Sequence, residues 1–172
     1  MLYVFSGLPG TGKSTLAAAL ARDLHAVYVR VDVVEQAMRD ANVWVDGPAG
    51  YGVCYEFTRQ NLQLGLDVVA DSVNPVHETR QAWRQVAQSL TIPFVEIEVV
   101  CSDKQEHQRR VESRVVDIPG LLLPTWDKVE AREYEVWDHP HTVIDTARQT
   151  VAESLVELRH KLSFEAESGR GR

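Results

Sequence analysis

The 172-residue sequence has only two cysteines, no basic excess and no long apolar run, and each absence excludes a class of protein. Cys54 and Cys101 lie far apart without metal-type spacing, so they predict reduced, packed thiols rather than a disulfide framework or a zinc site. A net charge of −7 disfavours a general attraction to nucleic acid or to anionic membranes. No apolar run is as long as a membrane span, and an apolar strand pattern directly follows Met1. We therefore expect a cytoplasmic protein without a membrane partner.

The length and the alternation of hydrophobic patterns predict a single domain. A chain of 172 residues buries one continuous core but is short for two independent cores. We expect this domain to span residues 1–164. The last residues, 165–172, read EAESGRGR and are expected to form a flexible tail.

Apolar, β-branched runs alternate with amphipathic stretches along the chain. The runs predict strands at residues 2–6, 26–31, 67–70, 93–100 and 141–145. Helices are predicted at residues 13–24, 33–40, 54–64, 78–90, 102–114, 128–137 and 150–162, with loops at 41–53 and 115–127. This alternation favours right-handed crossovers, and hence an α/β fold with a five-stranded parallel sheet and helices on both faces. Residues that directly follow the strands then meet at one edge of the sheet.

The stretch GLPGTGKST at residues 7–15 lies between the first predicted strand and the first predicted helix. It fills the P-loop pattern G-x-x-x-x-G-K-[ST], in which backbone amides wrap phosphates, the lysine reaches the terminal phosphates and the serine coordinates magnesium. The predicted nucleotide contacts in it are Gly7, Pro9, Gly10, Thr11, Gly12, Lys13, Ser14 and Thr15. The helix that follows points its N-terminal dipole at the anion. The motif predicts ATP and Mg²⁺ as cofactors, although no base-recognition motif distinguishes ATP from GTP.

Two aspartates follow the second and third predicted strands. Asp32 opens a helix, where its carboxylate can either cap that helix or accept a proton from a substrate hydroxyl. Asp71 closes the run VVAD, the usual form of the carboxylate that holds magnesium in NTP sites, directly or through water. Together with Ser14, Asp71 is therefore the predicted metal ligand. A turn role is the alternative for Asp71, because the turn-forming residues Ser72 and Asn74 follow it.

A charged helix and the proline-containing loop after it predict a lid over about residues 103–127. Arg110 and Arg114 are four residues apart, so on a helix they share a face that can close on phosphates as charge develops during transfer. The alternative is a solvated helix in which Arg110 pairs with Glu106. Arg110 and Thr146, which follows the fifth strand, are also assigned to the nucleotide.

The predicted acceptor site surrounds the aspartate at position 32. Its predicted substrate contacts are Asp32, Trp44, Tyr51, Tyr55, Asn74 and Arg80. The three aromatic side chains can pack on a flat or apolar substrate, or they can belong to the core. Likewise, Arg80 can face the site or the surface.

Together, the P-loop, VDVVEQAM, the DSVN…R stretch, the two lid arginines and the strand end VIDT resemble a known kinase family. They are similar to the small P-loop phosphotransferases around chloramphenicol phosphotransferase, zeta toxin and the polynucleotide 5′-kinases, which are AAA family ATPase-like kinases. The resemblance covers most of residues 1–160. It implies a three-layer P-loop NTPase fold of the nucleoside-kinase type with a helical lid. The implied catalytic residues are Asp32 as general base, with Lys13, Arg110 and Arg114 holding the triphosphate.

The resemblance implies an ATP-dependent phosphotransferase that moves the γ-phosphoryl group to a hydroxyl of a small-molecule acceptor. In kinases of polynucleotide ends an arginine commonly follows the equivalent aspartate by three residues, whereas this chain has Glu35. A polynucleotide 5′-hydroxyl kinase is therefore the disfavoured alternative. A non-catalytic NTP-binding regulatory or toxin-like module is another. The chain lacks the substrate motifs of gluconate kinases and adenylylsulfate kinases, so the resemblance names no acceptor, and it leaves the oligomeric state open.

Overall fold

The computed structural model describes residues 1–169, with residues 164–169 described by their backbone alone. Five strands form one sheet in the order β2-β3-β1-β4-β5, and every neighbouring pair is parallel. The strands are β1 (Leu2–Ser6), β2 (Val27–Arg30), β3 (Val68–Asp71), β4 (Phe94–Val100) and β5 (Thr142–Asp145). The predicted five-stranded parallel sheet is confirmed.

Helices connect the strands and cover both faces of the sheet. They are α1 (Lys13–Leu24), α2 (Val31–Asp40), α3 (Ala49–Gln63), α4 (His77–Ser89), α5 (Lys104–Glu112), α6 (Trp126–Glu130) and α7 (Val151–Gly169). Alternate side chains of the central strand β1 enter two cores. Tyr3 and Phe5 pack toward α1 and α7, whereas Leu2 and Val4 pack toward α3 and α4. Because both faces are covered, β1 is buried at every position, which explains why its sequence is a continuous apolar run.

The segment predicted as a loop at residues 41–53 is partly helical. Helix α3 begins at Ala49 and includes Gly50 and Gly52, two residues that lowered the expectation of a helix there. A Cβ atom at Gly50 would lie 2.2 Å from Glu35 Cγ, so this glycine allows α3 to approach α2 closely. Helix packing thus overrides the low helix propensity of glycine.

The helix predicted at residues 128–137 is also wrong in extent. Helix α6 ends at Glu130, and the chain then runs without regular structure to β5. Glu135 explains the departure, because its backbone N–H donates to Pro75 O at 2.8 Å and its side chain accepts from the His77 backbone. Contacts with the start of α4 replace helical hydrogen bonds in this segment.

The ends of α5 and α7 differ from the prediction as well. Asp103, rather than Ser102, is the N-cap of α5, and its carboxylate accepts from the Glu106 backbone N–H at 3.1 Å. Helix α5 ends at Glu112, before Arg114. Helix α7 continues to Gly169, into the segment predicted as a flexible tail, and residues 170–172 lie outside the described residues.

Strand β4 carries Glu96 and Glu98 in alternation with apolar residues, a pattern that favours a less buried face of the strand. Glu96 is instead buried and accepts hydrogen bonds from Arg84 Nε at 2.9 and 3.1 Å. Pairing with a guanidinium compensates the cost of burying this carboxylate beneath α4.

Cys54 and Cys101 are free and buried, in agreement with the prediction. Among the described residues, no helix combines the length and the apolar composition needed to cross a bilayer.

Candidate active site

A pocket of about 780 Å³ opens at the edge of the sheet where the strands end. It lies between the P-loop, the first turns of α2 and the predicted lid. The pocket brings together predicted site residues from these three regions and from α3, namely Pro9, Gly10, Gly12, Lys13, Ser14, Thr15, Asp32, Tyr51, Arg110 and Arg114. Phosphate-binding groups and the candidate base therefore line one cavity.

The P-loop backbone has a conformation that only glycine adopts without strain at its key positions. Gly7, Gly10 and Gly12 have φ angles of +143°, +88° and +90°. A Cβ atom at Gly7 would lie 2.3 Å from Val99 O, and one at Gly10 would lie 2.5 Å from Val111 Cγ2. Helix α1 begins directly after the loop, at Lys13. Close backbone approach and the helix N-terminus together form a cradle that fits the phosphates of a nucleotide.

We expect Gly7→Ala to weaken binding of Mg²⁺-ATP by more than about tenfold, because the added methyl group would collide with a backbone oxygen of β4, which cannot rotate away. Titration calorimetry of the purified variants measures this loss. Gly52→Ala is the matched control, since a Cβ there meets nothing within 4 Å. Equal affinity in the two variants would mean that the strained loop does not hold the phosphates.

Lys13 and Asp71 form a buried ion pair beneath the P-loop. The Tyr28 hydroxyl donates to the other carboxylate oxygen of Asp71 at 2.6 Å, and Lys13 Nζ lies 3.4 Å from Ser14 Oγ. Burial by itself disfavours the charged carboxylate, yet the attraction of Lys13 and the hydrogen bonds from Lys13, Tyr28 and Ser14 hold the pKa of Asp71 below its ordinary value. Asp71 is therefore an ionised oxygen donor at neutral pH.

The donor set at Ser14 and Asp71 suits a magnesium ion that is shared with phosphates. Mg²⁺ typically takes one or two protein oxygens, and phosphate oxygens and waters complete its octahedron. Among the side chains that the structure describes, those of residues 1–163, no group of three or more His, Cys, Asp or Glu is placed to hold a metal ion by itself. A hydroxyl and a carboxylate beside the phosphate cradle fit the role predicted for these two residues.

Asp32 lies in the first turn of α2 and lines the pocket. Arg30 occupies the N-cap position, and no side-chain hydrogen bond caps this helix, so the structure does not support a capping role for Asp32. The carboxylate is 36% exposed, and Arg30 Nη2 lies 3.8 Å from it. Its oxygens remain accessible to a hydroxyl group that enters the pocket.

Arg110 connects the lid helix α5 to the P-loop. Its guanidinium donates to Thr146 Oγ1 at 2.7 Å and to Thr146 O at 2.9 Å, and Thr146 Oγ1 donates in turn to Thr11 O at 2.7 Å. Arg110 also forms the predicted pair with Glu106, at 2.6 Å. The pair with Glu106, which the sequence offered as the alternative, is therefore present, and the contact of Arg110 with phosphates stays a prediction. Thr146 is buried behind the loop and positions the arginine instead of lining the pocket.

Arg114 does not share a helix face with Arg110, because it lies beyond the end of α5 at Glu112. It nevertheless lines the same pocket, and its Nη2 is 3.5 Å from Asp117 Oδ1. The segment that carries it, residues 113–125, is mostly irregular and exposes Val115 and Leu122, whereas Ile118 is buried. We call residues 113–125 the lid segment.

Two of the three predicted acceptor-site aromatics lie elsewhere. Trp44 is 85% exposed and does not line the pocket. Tyr55 packs edge-on against Trp83, with ring centroids 4.5 Å apart, and its hydroxyl donates to Thr79 O at 3.2 Å. Tyr51 alone of the three lines the pocket, and its hydroxyl accepts from the backbone N–H of Asn74 at 3.2 Å.

Asn74 and Arg80, both predicted as substrate contacts, are fully buried scaffold residues. The Asn74 amide donates to Ser6 Oγ at 2.9 Å and accepts from Trp83 Nε1 at 3.0 Å. Arg80 donates to Asn74 O at 2.9 Å and to Glu135 O at 2.8 Å. These bonds fix the turn after β3, so the two residues do not reach the pocket.

Sequence reasoning missed several residues of this site. Residues 121–124, LLLP, form an apolar wall that we call the leucine wall, and Glu35, Gln36 and Arg39 of α2 also line the pocket. His107 of α5 makes a hydrogen bond with Pro9 O at 2.8 Å, which anchors the lid helix on the P-loop. The only signal in the sequence was the apolar run at residues 121–124 inside a predicted loop. It indicated an exposed apolar segment but not that this segment lines the pocket.

Residues 2–119 match the family described as AAA domain. The chain belongs to the AAA domain family. Its P-loop, this family match and curated relatives that are named as kinases together identify it as a P-loop kinase. Its relatives include the adenylyl-sulfate kinase of Oceanobacillus iheyensis, which is 27% identical, with 92% of this chain and 81% of that protein covered.

Two solved kinase structures have a similar fold. The APS kinase CysC of Mycobacterium tuberculosis, in complex with AMPPNP and APS, has a TM-score of 0.65 and 19% identity, covering 94% of this chain and 96% of that one. A gluconokinase of Sinorhizobium meliloti has a TM-score of 0.62 and 16% identity, covering 95% of each chain. At these identities the likeness establishes the fold of this P-loop kinase and not its acceptor.

Proposed function

We propose that this kinase transfers the γ-phosphoryl group of ATP to a hydroxyl of a small molecule, with Asp32 as the general base. One observation carries the proposal: the Asp32 carboxylate lines the same pocket as Lys13, Arg110 and Arg114. A protein that only binds a nucleotide, without phosphoryl transfer, would need these cationic side chains but not an accessible carboxylate beside them. The curated relative named as an adenylyl-sulfate kinase supports a small-molecule acceptor.

In this proposal the base and the cations have separate roles. Asp32 takes the proton of the acceptor hydroxyl while the hydroxyl oxygen forms a bond to the γ-phosphorus. At the same time, the bond between that phosphorus and the bridging oxygen of the leaving ADP breaks. Lys13, Arg110 and Arg114 stabilise the negative charge on the transferring group. Ser14 and Asp71 would hold Mg²⁺, which neutralises phosphate charge when bound.

The pocket has both polar and apolar lining beyond the P-loop. Asp32, Glu35 and Gln36 of α2 contribute polar groups, and the leucine wall contributes apolar ones. Leu122 is 92% exposed and the other three residues of the wall are half-buried, so the wall adds apolar surface to the rim of the pocket. We therefore propose an alcohol with a partly apolar body. The sequence left a flat or an apolar substrate open, and we assign the apolar contact to the leucine wall instead of Trp44 and Tyr55.

An acceptor screen with γ-labelled ATP tests the function. We expect label transfer to at least one class of small alcohols, with sugars, nucleosides, aminocyclitols and hydroxylated aromatic compounds as the panel. Oligonucleotides with 5′-hydroxyl ends are included in the same screen, and efficient labelling of them would replace this proposal with the polynucleotide kinase. Magnesium-dependent ATP binding without transfer across the whole panel would favour a regulatory module.

A further inference from the structure

We propose that Arg30 is a positioning residue that holds the leucine wall over the acceptor site through an ion pair with Asp117. Arg30 is the last residue of β2, and Asp117 belongs to the lid segment. The pair joins the sheet directly to the segment that carries the wall. Neither residue belongs to the P-loop or to the predicted lid arginines.

Arg30 is 8% exposed, and three carboxylates surround its guanidinium. Nη1 donates to Asp117 Oδ2 and Nη2 donates to Asp117 Oδ1 at 3.4 Å, so the contact is bidentate. Arg30 Nε, which has no hydrogen-bond partner among the described atoms, lies 3.7 Å from Asp71 Oδ2, and Nη2 lies 3.8 Å from Asp32 Oδ2. One buried cation thus contacts the proposed base, the proposed metal ligand and the lid segment.

One buried side chain and one close approach hold the lid segment against the body of the protein. Ile118, the neighbour of Asp117, is buried. Gly120 has φ +81°, and a Cβ there would lie 2.9 Å from Gln36 Nε2, so the segment passes close to α2. The leucine wall begins at the next residue. Loss of the Arg30 contact would therefore release the residues that lead directly into the wall.

The position of the leucine wall matters more for binding of the acceptor than for binding of the nucleotide. The phosphate cradle is built from the P-loop and the start of α1, whereas Gly120, the residue before the wall, lies against Gln36 of α2, the helix that carries Asp32. We expect a loosened wall to raise KM for the acceptor, because a small displacement of positioning groups costs binding and orientation. The KM for ATP should change little. This kinetic half of the inference rests on the proposed kinase function.

Asp117→Asn is the informative variant, because Asp117 is 52% exposed and the amide keeps its size. Asp127→Asn, at an exposed aspartate of the nearby helix α6, is the matched control. Hydrogen exchange of the Leu121 backbone amide, which donates to Ile118 O at 3.1 Å, is measured without any substrate and reports on the Arg30–Asp117 pair alone. We expect exchange about tenfold faster in Asp117→Asn than in the wild type, and unchanged in the control.

The kinetic test is a double-mutant cycle with Arg30→Gln. We expect Asp117→Asn to raise the acceptor KM by about tenfold, and the double variant to be no worse than Arg30→Gln alone. Unchanged hydrogen exchange in Asp117→Asn, or additive effects in the double-mutant cycle, would overturn the proposed role of the Arg30–Asp117 ion pair. If no acceptor is phosphorylated at all, the proposed function fails, while the exchange experiment still decides the role of Arg30.

Discussion

Asp32→Asn is expected to lower kcat for phosphoryl transfer by about 10²- to 10⁴-fold, the usual contribution of a positioned general base. The amide keeps the size of the side chain but cannot take the proton of the acceptor hydroxyl. The Kd for Mg²⁺-ATP should stay within about twofold, because the phosphates are held by the P-loop and its cations. The variant should thus separate chemistry from nucleotide binding.

Single-turnover transfer from labelled ATP, together with calorimetric titration of the nucleotide, measures both quantities on the same preparations. Asp46→Asn, an exposed aspartate outside the pocket, controls for a general effect of removing a carboxylate. A variant at Asp32 that keeps the wild-type kcat on the acceptor identified by the screen would refute the base assignment. Loss of nucleotide affinity instead would place Asp32 in the phosphate site.

The fold and the phosphate cradle are predictable from the sequence because their signals are local. Each strand is a short apolar run, each long helix has a regular apolar period, and the P-loop is one continuous stretch between the two. The positions of Asp32 and Asp71 follow from the fold alone, since residues after parallel strands meet at one edge. Local patterns and topology therefore suffice for this half of the site.

The acceptor half was not predictable, because contacts between distant segments determine it. Trp44 and Tyr55 have the composition of a binding wall, yet one faces solvent and the other packs on Trp83. The leucine wall lies more than 80 residues beyond Asp32 in the chain, and its placement depends on the Arg30–Asp117 pair. A buried arginine with a distant partner leaves no periodic signal in the sequence.

One relative is named as a kinase whose substrate motif this sequence lacks. The sequence shows no adenylylsulfate kinase substrate motif, while the curated relative from Oceanobacillus iheyensis carries that name at 27% identity. Both observations are compatible, because proteins with one fold differ in substrate through the side chains that line the site. In the function proposed above, the lining by residues 121–124 and by α2 selects the acceptor.

Lys13→Met is expected to lower the free energy of unfolding at pH 7 by about 3 kcal/mol as well as to weaken nucleotide handling. The methionine fills the space but leaves the fully buried Asp71 carboxylate without its nearest cation. The Tyr28 hydroxyl and Arg30 Nε, at 2.6 and 3.7 Å from that carboxylate, compensate in part. Urea denaturation followed by tryptophan fluorescence measures the loss, with the exposed Lys128→Met as the control.

The pH dependence of this loss follows from the direction of the Asp71 pKa. In the wild type that pKa is held below the ordinary value of about 3.9, so the stabilisation is present above that value and is lost as the pH falls through the folded-state pKa. Without Lys13 the cost of burial dominates and raises the pKa of Asp71, so the variant becomes less stable as the pH increases through its own pKa. The difference in the free energy of unfolding between the wild type and Lys13→Met should therefore be large at pH 7 and shrink toward pH 4. A constant difference across that range would show that the loss comes from packing rather than from the buried charge.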